Sequence, residues 1–173
     1  MPSTYTLISS NVLASATSSV TFTAIPSTYT DLVLRMSMRG SNGGQIFDDI
    51  EFRFNSTNNN YSGTRLTADG AAASSSLTSN ATNLRIPYFG AGSTSTANTF
   101  SSAELYIPNY NAATNKPFGG YGTGENNATT SYMNAIAALW RNTAAINEIQ
   151  IFTYTSANFV AGSSFYLYGI KNS

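Results

Sequence analysis

The sequence predicts a single all-β domain spanning residues 1–173, a jelly-roll-like β-sandwich of about 8–11 strands. Three observations predict this fold. Apolar and polar residues alternate with a period of two from end to end, as they do in half-buried strands. Runs rich in Gly and Asn, which favour turns, separate the alternating segments. The length of 173 residues fits one domain of ordinary size.

The alternation defines the individual strands. The clearest segment has apolar residues at even positions from 32 to 38, with Arg35 and Arg39 in the polar phase. The next segment has Glu51 and Arg53 in its polar phase. If these two strands are neighbours, the four charged side chains line one solvent face and pair across it. In chain order the predicted strands are 4–9, 19–25, 32–39, 50–55, 61–67, 83–88, 100–107, 132–141, 146–154 and 163–171.

Segment 132–141 allows two interpretations. A short helix would place Met133, Ile136, Ala137 and Trp140 at helical spacing. We favour a strand, because both flanks are strand-like and neither Gly nor Pro marks a helix end. The segments predicted to be loops or turns are 41–44, 56–60, 71–76, 109–115 and 119–124.

The chain contains neither histidine nor cysteine. It therefore lacks the commonest general base near neutral pH, the Ser-His and Cys-His nucleophile pairs and the usual zinc ligands. Two of its eight carboxylates could form a glycosidase pair, but we interpret them as solvated or paired with the eight basic residues. Asp48, Asp49 and Glu51 could offer oxygen ligands to calcium, yet their spacing matches no EF-hand loop, and an acidic cluster at a loop end is the preferred interpretation. We expect no enzyme activity, no cofactor and no metal.

Charge is unusually sparse. Only 9% of the residues are charged, against about a quarter in a typical globular protein, and 65 residues are Ser, Thr or Asn. The net charge is zero and the basic residues are scattered, so we expect neither nucleic-acid binding nor attraction to an anionic membrane. Neither a secretion signal nor an apolar run of about 18 residues is present, which predicts a soluble protein made in a cytoplasm.

Tyrosines are the candidate binding residues. Several are predicted at strand ends or in loops, where Tyr offers contact area at low entropic cost and Asn offers adaptable hydrogen bonds. The alternative is that they pack the rims of the sandwich. The sole tryptophan, Trp140, could stack a sugar, although its pattern favours the core. The candidate interface residues are Tyr61, Tyr88, Tyr110, Tyr121 and Tyr132, with Tyr106 in a similar setting.

Five segments carry a resemblance to a known group of proteins. They are TYTLISS at 4–10, VTFTAIPSTYTDLVLRMSMR at 20–39, TANTFSSAELYIPNY at 96–110, NNATTSYMNAIAALWRNTAAINEIQIF at 126–152 and NFVAGSSFYLYGIKNS at 158–173. The chain resembles small Ser/Thr/Asn-rich virion proteins of tailed bacteriophages. The resemblance is one of composition and local wording of the sequence along nearly the whole chain. It includes no active-site signature, so it assigns no function to any residue. It implies a β-sandwich or jelly roll on the particle exterior, commonly trimeric, in capsid decoration (cement) proteins or fibre heads.

These observations give an ordered set of functional expectations. The first is a capsid-surface decoration protein, made in the host cytoplasm and located on the virion exterior. Its partners would be the major capsid protein or other virion proteins, and its own copies would form a homo-oligomer, with a trimer favoured. The alternative is a tail or fibre protein that binds a receptor glycan through aromatic and Asn/Ser-rich loops. The least favoured is a polysaccharide depolymerase that uses two carboxylates.

Overall fold

The fold is an all-β sandwich of two antiparallel sheets, which confirms the predicted class. The computed structural model describes residues 4–126 and 129–171. The strands in the described residues number twelve, slightly more than predicted. They are β1 (Tyr5–Val12), β2 (Ser19–Phe22), β3 (Asp31–Met38), β4 (Phe47–Phe54), β5 (Tyr61–Ala68), β6 (Ala73–Ala81), β7 (Leu84–Ala91), β8 (Ser101–Ile107), β9 (Lys116–Glu125), β10 (Ser131–Trp140), β11 (Ile149–Thr153) and β12 (Ser164–Ile170).

The larger sheet has eight strands in the order β1-β12-β3-β8-β9-β10-β5-β6, and the smaller has four in the order β2-β11-β4-β7. Strands that follow each other in sequence often lie in different sheets, as β2, β3 and β4 do. Strand β7 packs across the sandwich against β3, β5, β8, β9 and β10. Strands β1 and β6 form the edges of the larger sheet, and β2 and β7 form those of the smaller one.

The predicted cross-strand pairing of Arg35, Arg39, Glu51 and Arg53 is wrong. Strands β3 and β4 are not neighbours, because the connection between them carries the chain from the larger sheet to the smaller one. Arg35 instead pairs with Glu104 of β8 at 2.8 Å. Arg39 donates hydrogen bonds to four backbone carbonyls of the loop between β7 and β8, those of Ser93, Ser95, Thr96 and Thr99.

Two segments predicted to be loops are strands. The run of small residues at 71–76 begins β6, which forms the outer edge of the larger sheet. The glycine-rich run at 119–124 lies inside β9, between β8 and β10. Segment 132–141 falls in β10, so the preferred interpretation as a strand is confirmed.

One hydrophobic core fills the space between the two sheets. Trp140, the largest side chain in it, is fully buried. Its ring centroid lies 5.6 Å from that of Phe54 in the opposite sheet and 6.2 Å from that of Tyr61 in the neighbouring strand. Because residues of both sheets share this core, neither sheet buries its inner face without the other.

Candidate interaction surface

The smaller sheet presents a polar outer face. Its outward side chains include Asp49, Glu51 and Arg53 of β4, Arg85 of β7 and Gln150 of β11, which lie in register with one another. Arg85 Nε donates to Asp49 Oδ2 at 2.8 Å, and its guanidinium lies 3.3 Å from the centroid of the Tyr154 ring. These charges are satisfied by one another on a solvated face, which is the usual arrangement for the outside of a sandwich.

Asn83 connects the remaining charges of this polar face. Its Oδ1 accepts from Arg53 Nε at 2.9 Å, while its Nδ2 donates to Glu51 Oε2 at 3.2 Å. Partial burial raises the pKa of the Glu51 carboxyl, and the hydrogen bond from Asn83 and the charges of Arg85 and Arg53 oppose that rise. Asp48, Asp49 and Glu51 all lie within β4, so the predicted position of this acidic cluster at a loop end is wrong.

The larger sheet presents an outer face of opposite character, here called the outer sheet face. Register defines it, because side chains paired directly across antiparallel strands lie on the same side. Three rows cross all eight strands in the order β1 to β6. The rows are Leu7-Tyr168-Val33-Tyr106-Gly119-Ala137-Thr64-Leu77, Ser10-Tyr166-Arg35-Glu104-Tyr121-Ala135-Leu66-Ser75 and Val12-Ser164-Ser37-Ser102-Thr123-Met133-Ala68-Ala73.

Large apolar side chains are concentrated on the outer sheet face. Among the described residues, eleven large apolar or tyrosine side chains are exposed, and eight of them lie on this face when Tyr5 at its margin is included. Their exposed fractions run from 41% for Tyr106 to 75% for Leu77. The eight are Tyr5, Leu7, Val12, Leu66, Leu77, Tyr106, Tyr121 and Met133. Exposed apolar patches are typical of interaction sites, which makes this face the candidate surface.

The three rows of the outer sheet face carry no net charge. In its three rows the charged residues are Arg35 and Glu104, which form a salt bridge with each other. The hydrogen bond that Arg35 Nε donates to Glu104 raises the pKa of the Arg35 guanidinium. The guanidinium carbon lies 5.7 Å from the Tyr5 ring centroid and 5.8 Å from that of Tyr168. No isolated charge in these rows would have to lose its hydration when a partner covers the face.

The face is large enough for a stable interface. With a strand spacing of about 4.8 Å and a rise of about 3.3 Å per residue, eight strands of 7–10 residues cover on the order of 900 Å². A standard protein–protein interface buries about 800 Å² on each partner. The whole face therefore matches the area that one partner protein would cover.

The predicted interface tyrosines fall into three groups. Tyr121 and Tyr106 lie on the outer sheet face, where they are 57% and 41% exposed. Tyr61 and Tyr110 are buried, so they cannot contact a partner of the folded chain, and their assignment to an interface is wrong. Tyr61 Oη accepts the Phe54 N–H at 2.7 Å, Tyr110 Oη donates to the Pro26 carbonyl, and burial raises the pKa of Tyr61 to about 12.

Tyr88 and Tyr132 form a separate pair away from the outer sheet face. Their rings stack with centroids 4.4 Å apart and planes inclined by 14°. Phe47 meets both rings edge-on. Trp140, by contrast, has no exposed surface, so it offers no platform to a sugar. The Tyr88 side chain, by comparison, is 40% exposed.

Sequence reasoning missed the aliphatic members of the outer sheet face, such as Leu7, Leu66, Leu77 and Met133. A signal for them was present in segment 132–141, where apolar residues occupy both phases of the alternation. A strand that is apolar in both phases is covered on both sides. The inner phase of β10 meets the core, whereas in its outer phase Met133 is 56% exposed.

The candidate calcium ligands do not come together in the structure. In residues 4–126 and 129–171, no group of three or more metal-ligating side chains comes together. Asp48 turns inward while Asp49 pairs with Arg85, so the candidate calcium ligands diverge. None of the described residues forms a helix long and apolar enough to cross a membrane. No protein-family model matches the chain, and no curated protein matches it significantly.

Proposed function

We propose that this chain is a structural protein of a bacteriophage virion, a decoration (cement) protein on the capsid surface. The observation that carries the proposal is the outer sheet face, which is broad, neutral and rich in exposed apolar side chains. The resemblance of the sequence to small Ser/Thr/Asn-rich virion proteins supports the virion as the assembly that this face contacts. The protein would stabilise the shell through protein–protein contacts and would reach the virion exterior after synthesis in the host cytoplasm.

The two faces of the sandwich suggest an orientation on the particle. The outer sheet face would lie against the major capsid protein or a neighbouring virion protein, and the polar face of the smaller sheet would point to solvent. Burial of apolar area stabilises such a contact by roughly 25 cal/mol per Å², less the cost of association. Many copies that each bury a face of this size stabilise a shell together, and the resemblance supports a trimeric arrangement of the copies.

The proposal is tested by the occupancy of purified particles of the phage that encodes this chain. We expect a fixed, high stoichiometry relative to the major capsid protein, and density for the chain on the capsid with the outer sheet face turned toward the shell. Only a few copies per particle, or density confined to the tail, would eliminate the capsid assignment.

Surface variants locate the contact. The double variant Leu66→Thr/Met133→Thr changes two exposed side chains of the outer sheet face, so the chain should remain folded. We expect at least about a tenfold loss of binding to particles stripped of the protein, because central apolar contacts dominate most interfaces. The control Thr21→Ala/Gln150→Ala alters the face of the smaller sheet and should bind as the unmodified protein does. Equal binding by both variants would refute a role for the outer sheet face.

A receptor-binding protein of the tail or a fibre is the second candidate function. The specific observation in its favour is the exposed Tyr88 ring, which is backed by Tyr132 and lies outside the outer sheet face. In this role the exposed Tyr88 ring would be the surface that contacts a receptor glycan.

A further inference from the structure

We propose that a groove along the free edge of β7 binds an acidic saccharide, through contacts independent of those proposed for the outer sheet face. The groove, of about 480 Å³, lies where β5 and β6 of the larger sheet stand beside β4 and β7 of the smaller one. Six side chains define its chemistry: Asp49, Glu51, Arg65, Asn83, Arg85 and Tyr88. An exposed ring, an unpaired cation and a fixed set of polar groups in this groove point to a ligand.

Tyr88 supplies an aromatic surface that the fold holds in place. Its backbone has a φ of 56°, a left-handed conformation that is exceptional for a bulky side chain. The Tyr88 N–H donates to Asp49 Oδ1 at 2.9 Å, and Asn134 Nδ2 donates to the Tyr88 carbonyl at 3.4 Å. Tyr132 stacks on the ring, which is still 40% exposed. Strained residues that are held in this way cluster at ligand sites.

Arg65 supplies the unpaired cation. It stands in β5 opposite Ser76 of β6, on the inner side of the larger sheet, and lines the groove. Among the described residues it has neither a hydrogen bond nor a salt bridge, although Asp49 and Asn83, which line the same groove, engage Arg85 and Arg53. Arg85 differs, since Asp49 and the Tyr154 ring already hold it. A guanidinium without a partner is suited to a carboxylate from outside the chain.

The remaining polar groups are positioned before a ligand arrives. Asn83 is fixed by Arg53 on one side and Glu51 on the other, and Glu51 keeps acceptor capacity beyond its bond to Asn83. Thr78 adds a hydroxyl from β6. Groups that donate and accept along one groove match the vicinal hydroxyls of a sugar ring.

Together these features favour a saccharide that carries a carboxylate. An aromatic ring packs on the apolar C–H face of a pyranose, amide and carboxylate groups bind its hydroxyls, and Arg65 binds its acid group. An extended peptide would need an edge strand to pair with, and Pro87 of β7 lacks the N–H for one such hydrogen bond. A polyphosphate, which carries several charges, would need more than one unpaired cation, whereas a single carboxylate needs only Arg65.

Titration with defined oligosaccharides tests the proposal. The probe is a tetrasaccharide of galacturonate, compared with its carboxyl-reduced neutral counterpart, and binding is followed by amide chemical shifts and calorimetry. We expect shifts around Arg65, Asn83 and Tyr88 with the acidic probe. The variant Arg65→Gln should weaken binding at least about tenfold, the usual effect of losing one hydrogen bond to a charged group. Tyr88→Ala should weaken it as well.

Matched controls separate this site from the outer sheet face. Tyr121→Ala removes an exposed tyrosine of the outer sheet face and should leave saccharide affinity unchanged, while Arg65→Gln should leave particle binding unchanged. Thermal unfolding of each variant verifies that it folds. The proposal is overturned if the acidic probe does not bind at millimolar concentration, if the neutral probe binds equally well, if both groove variants retain full affinity, or if an acidic peptide binds in its place.

Discussion

At the scale of single residues, Asp48 is the most anomalous side chain of the protein. It is 1% exposed, and neither of its carboxylate oxygens has a hydrogen bond of ordinary geometry within the described part of the chain. Burial raises the pKa of this carboxyl, the Asp49 charge adds to the rise, and nearby Asn42 offsets part of it. A buried carboxylate without firm partners costs stability when it is ionised.

We predict that Asp48→Asn stabilises the protein at pH 7 by about 1–2 kcal/mol, because it replaces a buried charged carboxylate with an uncharged amide of nearly the same shape. Since the folded-state pKa is raised, the folded protein keeps this proton to higher pH than the unfolded chain does. In the unmodified protein, ionised Asp48 therefore lowers the unfolding free energy as pH rises from the ordinary carboxyl pKa through the raised pKa of Asp48. The loss of stability persists at higher pH. Thermal unfolding of both proteins between pH 3 and 8 should show curves that converge at the acidic end.

Asp69 provides a control of opposite sign. Its Oδ1 accepts the N–H groups of Ala71 and Ala72, and these bonds lower the pKa of this exposed carboxyl. The contribution of ionised Asp69 to folding stability is fully present above the ordinary carboxyl pKa, and it is lost as pH falls through the lowered pKa of Asp69. Asp69→Asn should therefore reduce stability at pH 7 and have less effect at pH 3. A stabilising Asp69→Asn, or an Asp48→Asn whose advantage does not depend on pH, would contradict this account.

At the scale of elements, β9 shows why a glycine-rich run need not be a loop. Gly122 lies on the inner face of β9, where an added Cβ would stand 2.1 Å from the Phe89 ring of the opposite sheet. Gly124 stands in the same relation to Phe47, at 2.7 Å. These glycines are present because aromatic rings occupy the space that side chains of β9 would fill. Glycine in a strand often marks a close approach of this kind.

Replacing Gly122 tests that explanation. Gly122→Ala should destabilise the protein by about 1–3 kcal/mol, since overpacking forces Phe89 to move. The matched control is Gly43→Ala, where an added Cβ meets no atom within 4 Å and the backbone does not require glycine. Chemical denaturation of the two variants measures the difference. Equal stability of Gly122→Ala and Gly43→Ala would show that β9 tolerates side chains and that the glycines have another cause.

The elements also show how far sequence reasoning reaches. Strand β3 was predictable, because its alternation is strict and its inner residues all enter the core. Strands β6 and β9 were not, since Ser-rich and Gly-rich segments lack the apolar phase that marks a strand. The interface tyrosines were only partly predictable: Tyr61 and Tyr121 both lie in strands, and only the register decides which of them meets the core.

At the scale of the whole molecule, the two outer faces of the sandwich differ in polarity. Charged residues such as Arg53 and Arg85 are collected on the smaller sheet, and exposed apolar residues such as Leu66 and Met133 on the larger one. A random distribution would leave both faces mixed. The separation supports the proposed orientation, in which the outer sheet face contacts a partner and the polar face meets solvent, while the shared core makes the two sheets one unit.

The shared core predicts that the whole domain unfolds in one step. Trp140 reports on the interface between the sheets, because its ring packs on Phe54 of the smaller sheet and Tyr61 of the larger one. We expect Trp140 fluorescence and far-UV circular dichroism to give the same denaturation midpoint. Phe54→Ala should lower the unfolding free energy by about 3–5 kcal/mol and move both signals together. The exposed Leu77→Ala should change it by no more than about 0.5 kcal/mol. A fluorescence transition that precedes the loss of strand signal would mean that the sheets separate first, and the core would then not be the feature that unites them.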